Sequence, residues 1–139
     1  MKVNVILFDG LKQHVLMKNN EGCMHFIEGD TKENESPANA AYRILGESLG
    51  FEEEVIALDF VRQEIVTSKV RGVWNNYTTV GVLKRSNSDT VPEGYSWIST
   101  SNKSVFVDMS KTCSYYELIK DATALLENRE KLDFGDVVV

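Results

Sequence analysis

Short apolar runs separated by turn residues predict three β-strands in the first part of the chain. Residues 3–8 are rich in β-branched, aliphatic and aromatic side chains, and the run ends at Asp9-Gly10, a dipeptide typical of turns. Residues 14–18 and 24–27 form two further strand-like runs. Residues 29–35 are polar and show no periodicity, so we expect a loop there.

A helix is predicted immediately after this loop. Ser36 is a favourable N-cap, and Pro37 fits the first helical turn, where its missing N–H would have had no partner. Gly50 is a favourable stop because glycine adopts positive φ at little steric cost. Apolar residues at helical spacing lie between them: Ala38, Ala40, Ala41, Ile44, Leu45 and Leu49. We therefore expect a helix over residues 37–49.

Further strands and a second helix follow along the chain. Residues 55–66 and 72–83 are predicted strands joined by a hairpin, and 95–98 and 105–107 are predicted short strands. Ser114 has the spacing of a capping box with Glu117, which starts a second helix. Its apolar stripe comprises Tyr115, Leu118, Ile119, Ala122, Leu125 and Leu126. This order of elements predicts an α+β fold with a mixed sheet between helices.

Composition narrows the class of protein. A chain of 139 residues predicts one domain, spanning residues 1–139. Only Cys23 and Cys113 are cysteines, so a disulfide scaffold or a cysteine-type zinc site is excluded. No apolar run approaches the about 18 residues of a membrane span, and the first residues resemble a strand rather than a signal peptide. We therefore expect a cytoplasmic protein that does not enter a membrane.

The charge balance indicates the kind of ligand. The formal net charge is -6, which argues against binding to the backbone of duplex DNA or RNA. An acidic protein can still bind phosphorylated small molecules, usually through a divalent cation held by carboxylates. The position of carboxylates along the chain is therefore the informative feature.

The predicted loop and first helix contain a set of residues at defined spacing. Gly29 is followed after five residues by Glu35, and Arg43 follows after seven more. The helix then supplies Leu45, Glu47 and Gly50. This pattern resembles the signature of the Nudix hydrolases, the MutT-type superfamily. The resemblance implies a Nudix-like α/β/α sandwich with a mixed β-sheet between helices.

The resemblance also implies where metal chemistry would occur. In the family, two glutamates one helical turn apart bind most of the magnesium, and here those positions are Ile44 and Ser48. An isoleucine supplies no oxygen, and a serine hydroxyl is a neutral ligand. The Nudix box is therefore degenerate. Glu47 is the one retained helix carboxylate and the candidate metal ligand, and Glu47 and Glu35 are the candidate catalytic residues.

The other retained positions correspond to structural residues of the family. Glu35 and Arg43 resemble the pair that ties the loop to the helix through a bidentate contact. Gly29 and Gly50 are expected to serve backbone turns, and Leu45 is expected in the core.

Two functions follow from this pattern. The first is a Nudix-type pyrophosphohydrolase that uses Mg²⁺ or Mn²⁺ on a nucleoside diphosphate linked to another group. It would need a further acid near Glu47, and the candidates are Glu28, Glu64, Asp89 and Glu93. The alternative is a catalytically inactive Nudix-fold protein, without a metal cofactor, that binds a nucleotide-like small molecule or a protein partner. A homodimer, the commonest assembly, is compatible with either function, and the sequence does not determine the oligomeric state.

Other residues are candidates for contacts with such a ligand. Aromatic side chains that could stack on a base are Trp74, Tyr77 and Trp97. Cations that could contact phosphates are Arg62, Arg71, Lys84 and Arg85. Residues 52–54 are three glutamates beyond the helix stop, which is typical of a solvated run. The helix face at Ile44 and Ser48 discriminates between the two functions. An apolar cleft with Ile44 pointing inward disfavours the hydrolase, and convergence of Glu28, Glu64 or Glu93 on Glu47 favours it.

Overall fold

Six strands and two helices make up the described part of the chain. The computed structural model describes residues 1–20, 23–50, 55–68, 72–84, 91–102 and 115–138. The strands are β1 (Lys2–Phe8), β2 (His14–Asn20), β3 (Cys23–Asp30), β4 (Val55–Ser68), β5 (Gly72–Leu83) and β6 (Tyr95–Ser99). The helices are α1 (Pro37–Leu49) and α2 (Tyr115–Val138). Neither is long and apolar enough to cross a membrane, within the residues described.

The predicted elements agree closely with those observed. Helix α1 has the predicted bounds, and each predicted strand within the described residues is present, several with one or more added residues. The prediction that the loop starts at Gly29 is wrong, because β3 continues to Asp30. Pairing of Val3 with Gly29 and of Lys2 with Asp30 extends the strand. The predicted strand 105–107 and the capping residue Ser114 lie outside the described residues.

The sheet is mixed, as the element order predicted. Its strand order is β4-β5-β1-β3-β2-β6. Strands β1 and β5 are parallel, and the remaining pairs are antiparallel. The long strands β4 and β5 form a hairpin at one edge, and β6 is the strand at the other edge.

Side-chain alternation along the strands builds two cores. Val3, Val5 and Leu7 of β1 pack in one cluster with the buried residues of α1. Ile6 and Phe8 pack in the other cluster with the buried residues of α2. Successive side chains of a strand point to opposite faces, so the two helices cover opposite faces of the sheet. The predicted α/β/α sandwich is confirmed.

Local capping fixes the ends of α1. The hydroxyl of Ser36 accepts a hydrogen bond from the backbone N–H of Asn39, 3.2 Å away. Gly50 has φ 69° and ψ 18°, in the left-handed region, and its N–H donates to the carbonyl of Gly46. Both ends therefore follow from residues already recognisable in the sequence.

Helix α1 packs tightly against β3 at Gly29. Ile44 is 3% exposed and lies directly over this glycine. A Cβ atom at position 29 would lie 2.8 Å from both Cδ1 and Cγ1 of Ile44. Close packing against α1 therefore requires glycine at position 29. Gly29 lies within β3, so its role is this packing and not the backbone turn expected from the sequence.

Adding a methyl group at this contact is expected to destabilise the fold. We expect Gly29→Ala to lower the free energy of unfolding by about 1–3 kcal/mol, because the added Cβ overlaps Ile44. The double variant Gly29→Ala/Ile44→Ala is expected to be less destabilised than the sum of the two single variants. Urea unfolding of the four proteins measures this coupling. Strict additivity would show that the contact does not limit the packing.

Candidate ligand-binding site at the end of the sheet

Arg43 connects the loop after β3 to helix α1. Its Nε lies 2.8 Å from Oε2 of Glu35, and its Nη2 lies 2.9 Å from Oε1, which is a bidentate contact. Nη2 also donates to the backbone carbonyl of Asp30 at 2.6 Å. The backbone N–H of Lys32 donates to the same Glu35 carboxylate at 3.0 Å. The loop is therefore closed around one guanidinium and one carboxylate.

The charges of this pair stabilise each other. The Arg43 guanidinium, through its hydrogen bonds, and then the Lys32 backbone N–H lower the pKa of Glu35 from 4.5 to about 2. Glu35 in turn raises the pKa of Arg43. The side chains are only 17% and 21% exposed, so solvent screens the pair less than a fully exposed one. Glu35 thus remains ionised at neutral pH with both oxygens occupied.

Glu47, the candidate metal ligand, is also paired with cations. Arg43 Nη1 lies 3.1 Å from its Oε2, and Lys32 Nζ lies 3.7 Å from its Oε1. Its side chain is 58% exposed. The carboxylate therefore faces solvent on the helix surface, and its negative charge is balanced by side chains of the chain itself.

The other two carboxylate positions of the box do not fit a metal ion. Ile44 is buried against Gly29, and Ser48 is an exposed hydroxyl on the helix surface. A magnesium ion in a protein is usually bound through one or two carboxylates together with waters and phosphate oxygens. On this helix the one carboxylate is Glu47, and it is already paired with Arg43 and Lys32. The described residues of the box therefore fit a bound Mg²⁺ or Mn²⁺ poorly.

Of the further acids proposed from sequence, the three that lie within the described residues do not complete a metal centre. Glu28 lies 3.5 Å from Lys2 Nζ, Glu64 is opposite Asn76 in the β4–β5 ladder, and Glu93 is exposed before β6. Within the described ranges no group of three or more His, Cys, Asp or Glu could hold a metal ion. Asp89 and residues 52–54 lie outside the described residues.

A group of polar side chains interrupts the apolar α2 face of the sheet. Asn4 is 8% exposed and donates from its amide to the Asn76 side-chain carbonyl, which is 5% exposed. Thr78 is 1% exposed, and its hydroxyl has no partner in the part of the chain described. Glu28 is opposite Asn4 in the β1–β3 pairing. Buried polar groups in a sheet are costly, so this cluster indicates a role other than core packing.

A cavity opens where this polar cluster reaches the end of the sheet. Its volume is about 480 Å³, and its walls are Met1, Lys2, Asp30, Trp74 and Asn75. Lys2 Nζ lies 6.0 Å from the centroid of the Trp74 ring. An aromatic ring, a cation and a carboxylate therefore lie around a space of small-ligand size, and Asn75 of the adjacent strand position completes its wall. We call this the Trp74 cavity.

The Trp74 cavity is joined to the box by one residue. Asp30 lines the cavity. Its backbone carbonyl also accepts a hydrogen bond from Arg43 Nη2. The loop that Arg43 closes thus forms one wall of the cavity. The indole N–H of Trp74 has no acceptor within the described residues, so packing and the Lys2 contact hold the ring.

The remaining sequence candidates lie away from this cavity. Tyr77 packs beside Phe60 with ring centroids 5.0 Å apart, and Trp97 packs on the α1 core. Arg62 is paired with Asp121 of α2, and Lys84 is exposed at the end of β5. Arg71 and Arg85 lie outside the described residues.

Sequence reasoning selected Trp74 and overlooked its neighbours. The overlooked residues are Lys2, Asn4, Asp30, Asn75 and Asn76. Asparagine is depleted in strands, so three asparagines within predicted strands were an available signal. Their convergence could not be seen because β1 and β5 are distant in sequence and adjacent only in the sheet.

The low pKa of Glu35 predicts a pH-dependent contribution to stability. A carboxyl group whose folded pKa is depressed stabilises the fold above its unfolded pKa, and the contribution is lost as the pH falls toward the folded value. We expect Glu35→Gln to be less stable than wild type at pH 7, with the difference shrinking between pH 4.5 and about 2. Urea unfolding of both proteins from pH 7 to about pH 2 measures the difference in their free energies of unfolding.

The neighbouring Glu33 provides the matched control, because it is exposed in the same loop. Glu33→Gln is expected to follow wild type at every pH. A constant difference between Glu35→Gln and wild type from pH 7 to pH 2 would contradict the stabilising role of the ionised carboxylate.

Comparison with known proteins identifies the fold. No protein-family model and no curated protein matches the chain. Among solved structures, a NUDIX hydrolase from Listeria monocytogenes is similar with TM-score 0.70 and 14% identity, covering 93% of this chain and 95% of that one. The E. coli dihydroneopterin triphosphate pyrophosphohydrolase is similar with TM-score 0.67 and 16% identity, covering 86% and 91%.

A third similar structure is the NUDIX domain of Shewanella oneidensis NrtR complexed with ADP ribose. Its TM-score is 0.65 and its identity 18%, covering 90% of this chain and 86% of that one. Identities at this level establish the fold, and coverage of nearly the whole of each chain shows that the similarity is not confined to the box. The resemblance inferred from the box spacing is confirmed at the level of architecture, and this chain is a Nudix-fold protein.

Proposed function

We propose that this chain binds a nucleotide-like small molecule in the Trp74 cavity without metal-dependent hydrolysis. The observation that supports this most directly is the position of Ile44, which is buried over Gly29 where the family's metal-binding glutamate would stand. Glu47 is the single carboxylate left on the helix, and Arg43 and Lys32 balance its charge. The box thus keeps the groups that shape the loop and lacks those that hold a metal.

The lining of the Trp74 cavity suits a nucleotide by its chemistry. The indole face of Trp74 can stack on a base, and such stacking is worth about 1–3 kcal/mol per base. The Asp30 carboxylate can accept hydrogen bonds from the N–H groups of a base edge. The Lys2 ammonium can contact a phosphate. A nucleoside diphosphate derivative combines all three features.

The similar structures support the same class of ligand. One is a NUDIX domain complexed with ADP ribose, and another is a C. elegans Ap4A hydrolase in a binary complex. ADP ribose and Ap4A, the molecules named for these two proteins, both contain adenosine joined to a phosphate chain. We therefore propose ADP-containing molecules as the first ligands to test, with no metal cofactor required.

The second candidate function is hydrolysis with Mg²⁺ or Mn²⁺, as a Nudix-type pyrophosphohydrolase. It is favoured by the 58% exposure of the Glu47 side chain, which leaves the carboxylate accessible on the helix surface. Glu47 and Glu35 would then be the catalytic residues, and an incoming cation would have to displace Lys32 and Arg43 from Glu47. The two candidates differ in their dependence on metal.

Titration calorimetry with and without metal separates the two candidates. ADP, ADP-ribose and diadenosine tetraphosphate are titrated in EDTA, in Mg²⁺ and in Mn²⁺, and the same samples are assayed for phosphate release and for cleaved nucleotide. We expect equal affinity in the three buffers and no turnover, because no metal completes the site. We also expect Glu47→Gln to bind as tightly as wild type. Metal-dependent turnover that disappears in Glu47→Gln would establish the hydrolase instead.

The stacking role of Trp74 is tested by removing its ring. We expect Trp74→Leu to weaken ADP-ribose binding by about 5- to 150-fold, the equivalent of one lost stacking contact. Trp97→Leu is the matched control, because its indole packs on the opposite face of the sheet, against the α1 core. Near-ultraviolet circular dichroism checks that both variants fold. Equal losses in both variants, or none in Trp74→Leu, would place the ligand elsewhere.

A further inference from the structure

Three side chains of the Trp74 cavity share one face of the sheet. Lys2 is directly opposite Asp30 in the β1–β3 pairing, and directly paired residues of neighbouring strands point to the same face. Lys2 also forms an ion pair with Glu28 of β3 and lies over the Trp74 ring. The indole, the ammonium and the Asp30 carboxylate are therefore on one face, and all three residues line the cavity.

The carboxylate of Asp30 is accessible to a ligand. Of the two cations beside it, Lys2 pairs with Glu28 at 3.5 Å, and Arg43 donates to the Asp30 backbone carbonyl. Neither of these contacts between described residues uses the Asp30 carboxylate. Asp30 is also exposed, so both oxygens can be reached from the cavity. An ionised carboxylate accepts hydrogen bonds and donates none, so it requires N–H or O–H groups on the ligand.

A base that stacks on Trp74 lies within reach of Asp30. Strand β1 separates β5 from β3, and neighbouring strands are about 4.8 Å apart, so the two walls of the cavity are about 10 Å apart. This width accommodates a purine ring and one hydrogen bond of about 2.9 Å. Stacking uses the face of a base, and its donors and acceptors lie along its edges. The indole can therefore hold the face while the carboxylate contacts an edge.

Guanine is the base whose edge matches a carboxylate. Its ring N1–H and its exocyclic N2 amino group are adjacent donors on one edge, and a carboxylate offers two acceptor oxygens. The match is bidentate, like the contact that Arg43 makes with Glu35. Adenine sets the acceptor N1 beside its amino group, so a lone pair would face the carboxylate. Cytosine and uracil also set an acceptor beside each donor.

We infer that the Trp74 cavity selects guanine nucleotides, with the Asp30 carboxylate accepting hydrogen bonds from N1–H and from the N2 amino group. The inference rests on the proposed binding of a nucleotide in this cavity and adds the identity of its base. Trp74 stacks on the guanine, and Lys2 contacts the phosphates. Adenine nucleotides keep the stacking contact and lose the bidentate contact with Asp30, so they bind more weakly.

A series of bases measures this preference. GDP, inosine diphosphate and ADP are titrated into the wild-type chain in EDTA, and calorimetry gives each dissociation constant. We expect GDP to bind about 5- to 150-fold more tightly than ADP, which is the discrimination of one bidentate contact. Inosine diphosphate lacks the 2-amino group and retains N1–H, so we expect its affinity to lie between the two. Equal affinity for GDP and ADP would overturn the inference.

The substitution Asp30→Asn is expected to exchange the base preference, which a purely structural effect would not do. Xanthosine diphosphate has a carbonyl oxygen where guanine has its 2-amino group. The amide of an asparagine can donate to this oxygen while its own oxygen accepts from N1–H. Relative to wild type, we expect Asp30→Asn to bind xanthosine diphosphate about tenfold more tightly and GDP about tenfold more weakly. Glu33→Gln is the matched control, because it removes one exposed negative charge from the adjoining loop and is expected to keep the wild-type order of affinities.

The outcomes distinguish the choice of base from the proposed function. A preference for GDP that survives in Asp30→Asn would show that another group reads the base. Equal binding of GDP and ADP, with both weakened in Trp74→Leu, would retain nucleotide binding in the cavity and remove the role of Asp30. If none of these nucleotides binds, the proposed function is rejected and the inference with it. Near-ultraviolet circular dichroism verifies that each variant folds.

Discussion

The guanidinium of Arg43 is the group on which the end of the sheet depends. It binds both oxygens of Glu35, the backbone carbonyl of Asp30 and one oxygen of Glu47. A planar group with five N–H donors can satisfy this set, and a lysine cannot. Through these contacts the loop after β3 is held against α1, and Asp30 is held in the wall of the Trp74 cavity. The box motif therefore has a structural role that does not require metal.

The charge distribution around α1 differs from that of a metal centre. Glu35 and Glu47 are negative, and Arg43 and Lys32 lie within ion-pair distance of them. The buried side chain of Ile44 packs directly over Gly29. An apolar side chain at position 44 packs α1 against β3. It supplies no oxygen that could bind a cation. The same loop geometry can thus persist while the chemistry on the helix surface changes.

The proposed ligand pocket, the Trp74 cavity, lies on the face of the sheet opposite α1. Asn4 and Asn76 interrupt an otherwise apolar face, and the Trp74 cavity opens beside them. Buried amides that bond to each other hold the neighbouring strands β1 and β5 in register without filling the space above them. This side of the sheet therefore has a hydrogen-bonded pair of buried amides next to a cavity of small-ligand size.

Local sequence patterns determined most of the fold. The bounds of α1 followed from Ser36, Pro37 and Gly50, since capping is decided within a few residues. The strands followed from apolar runs, and the Nudix architecture from the spacing of Gly29, Glu35 and Arg43. The extension of β3 to Asp30 did not follow, because Gly29 and Asp30 gain their strand conformation from pairing with β1.

The candidate site was determined only in part by the sequence. The sequence indicated a degenerate box and the pairing partner of Arg43, because both belong to one loop and helix. The inward orientation of Ile44 and the cations around Glu47 required the packing of α1 on the sheet. The Trp74 cavity required β1 and β5 to be neighbours, and that adjacency joins residues about 70 positions apart. Local sequence patterns therefore determined the scaffold, because caps and apolar runs act within a few residues. The tertiary structure decided where the proposed ligand cavity lies, because only the sheet brings β1 beside β5.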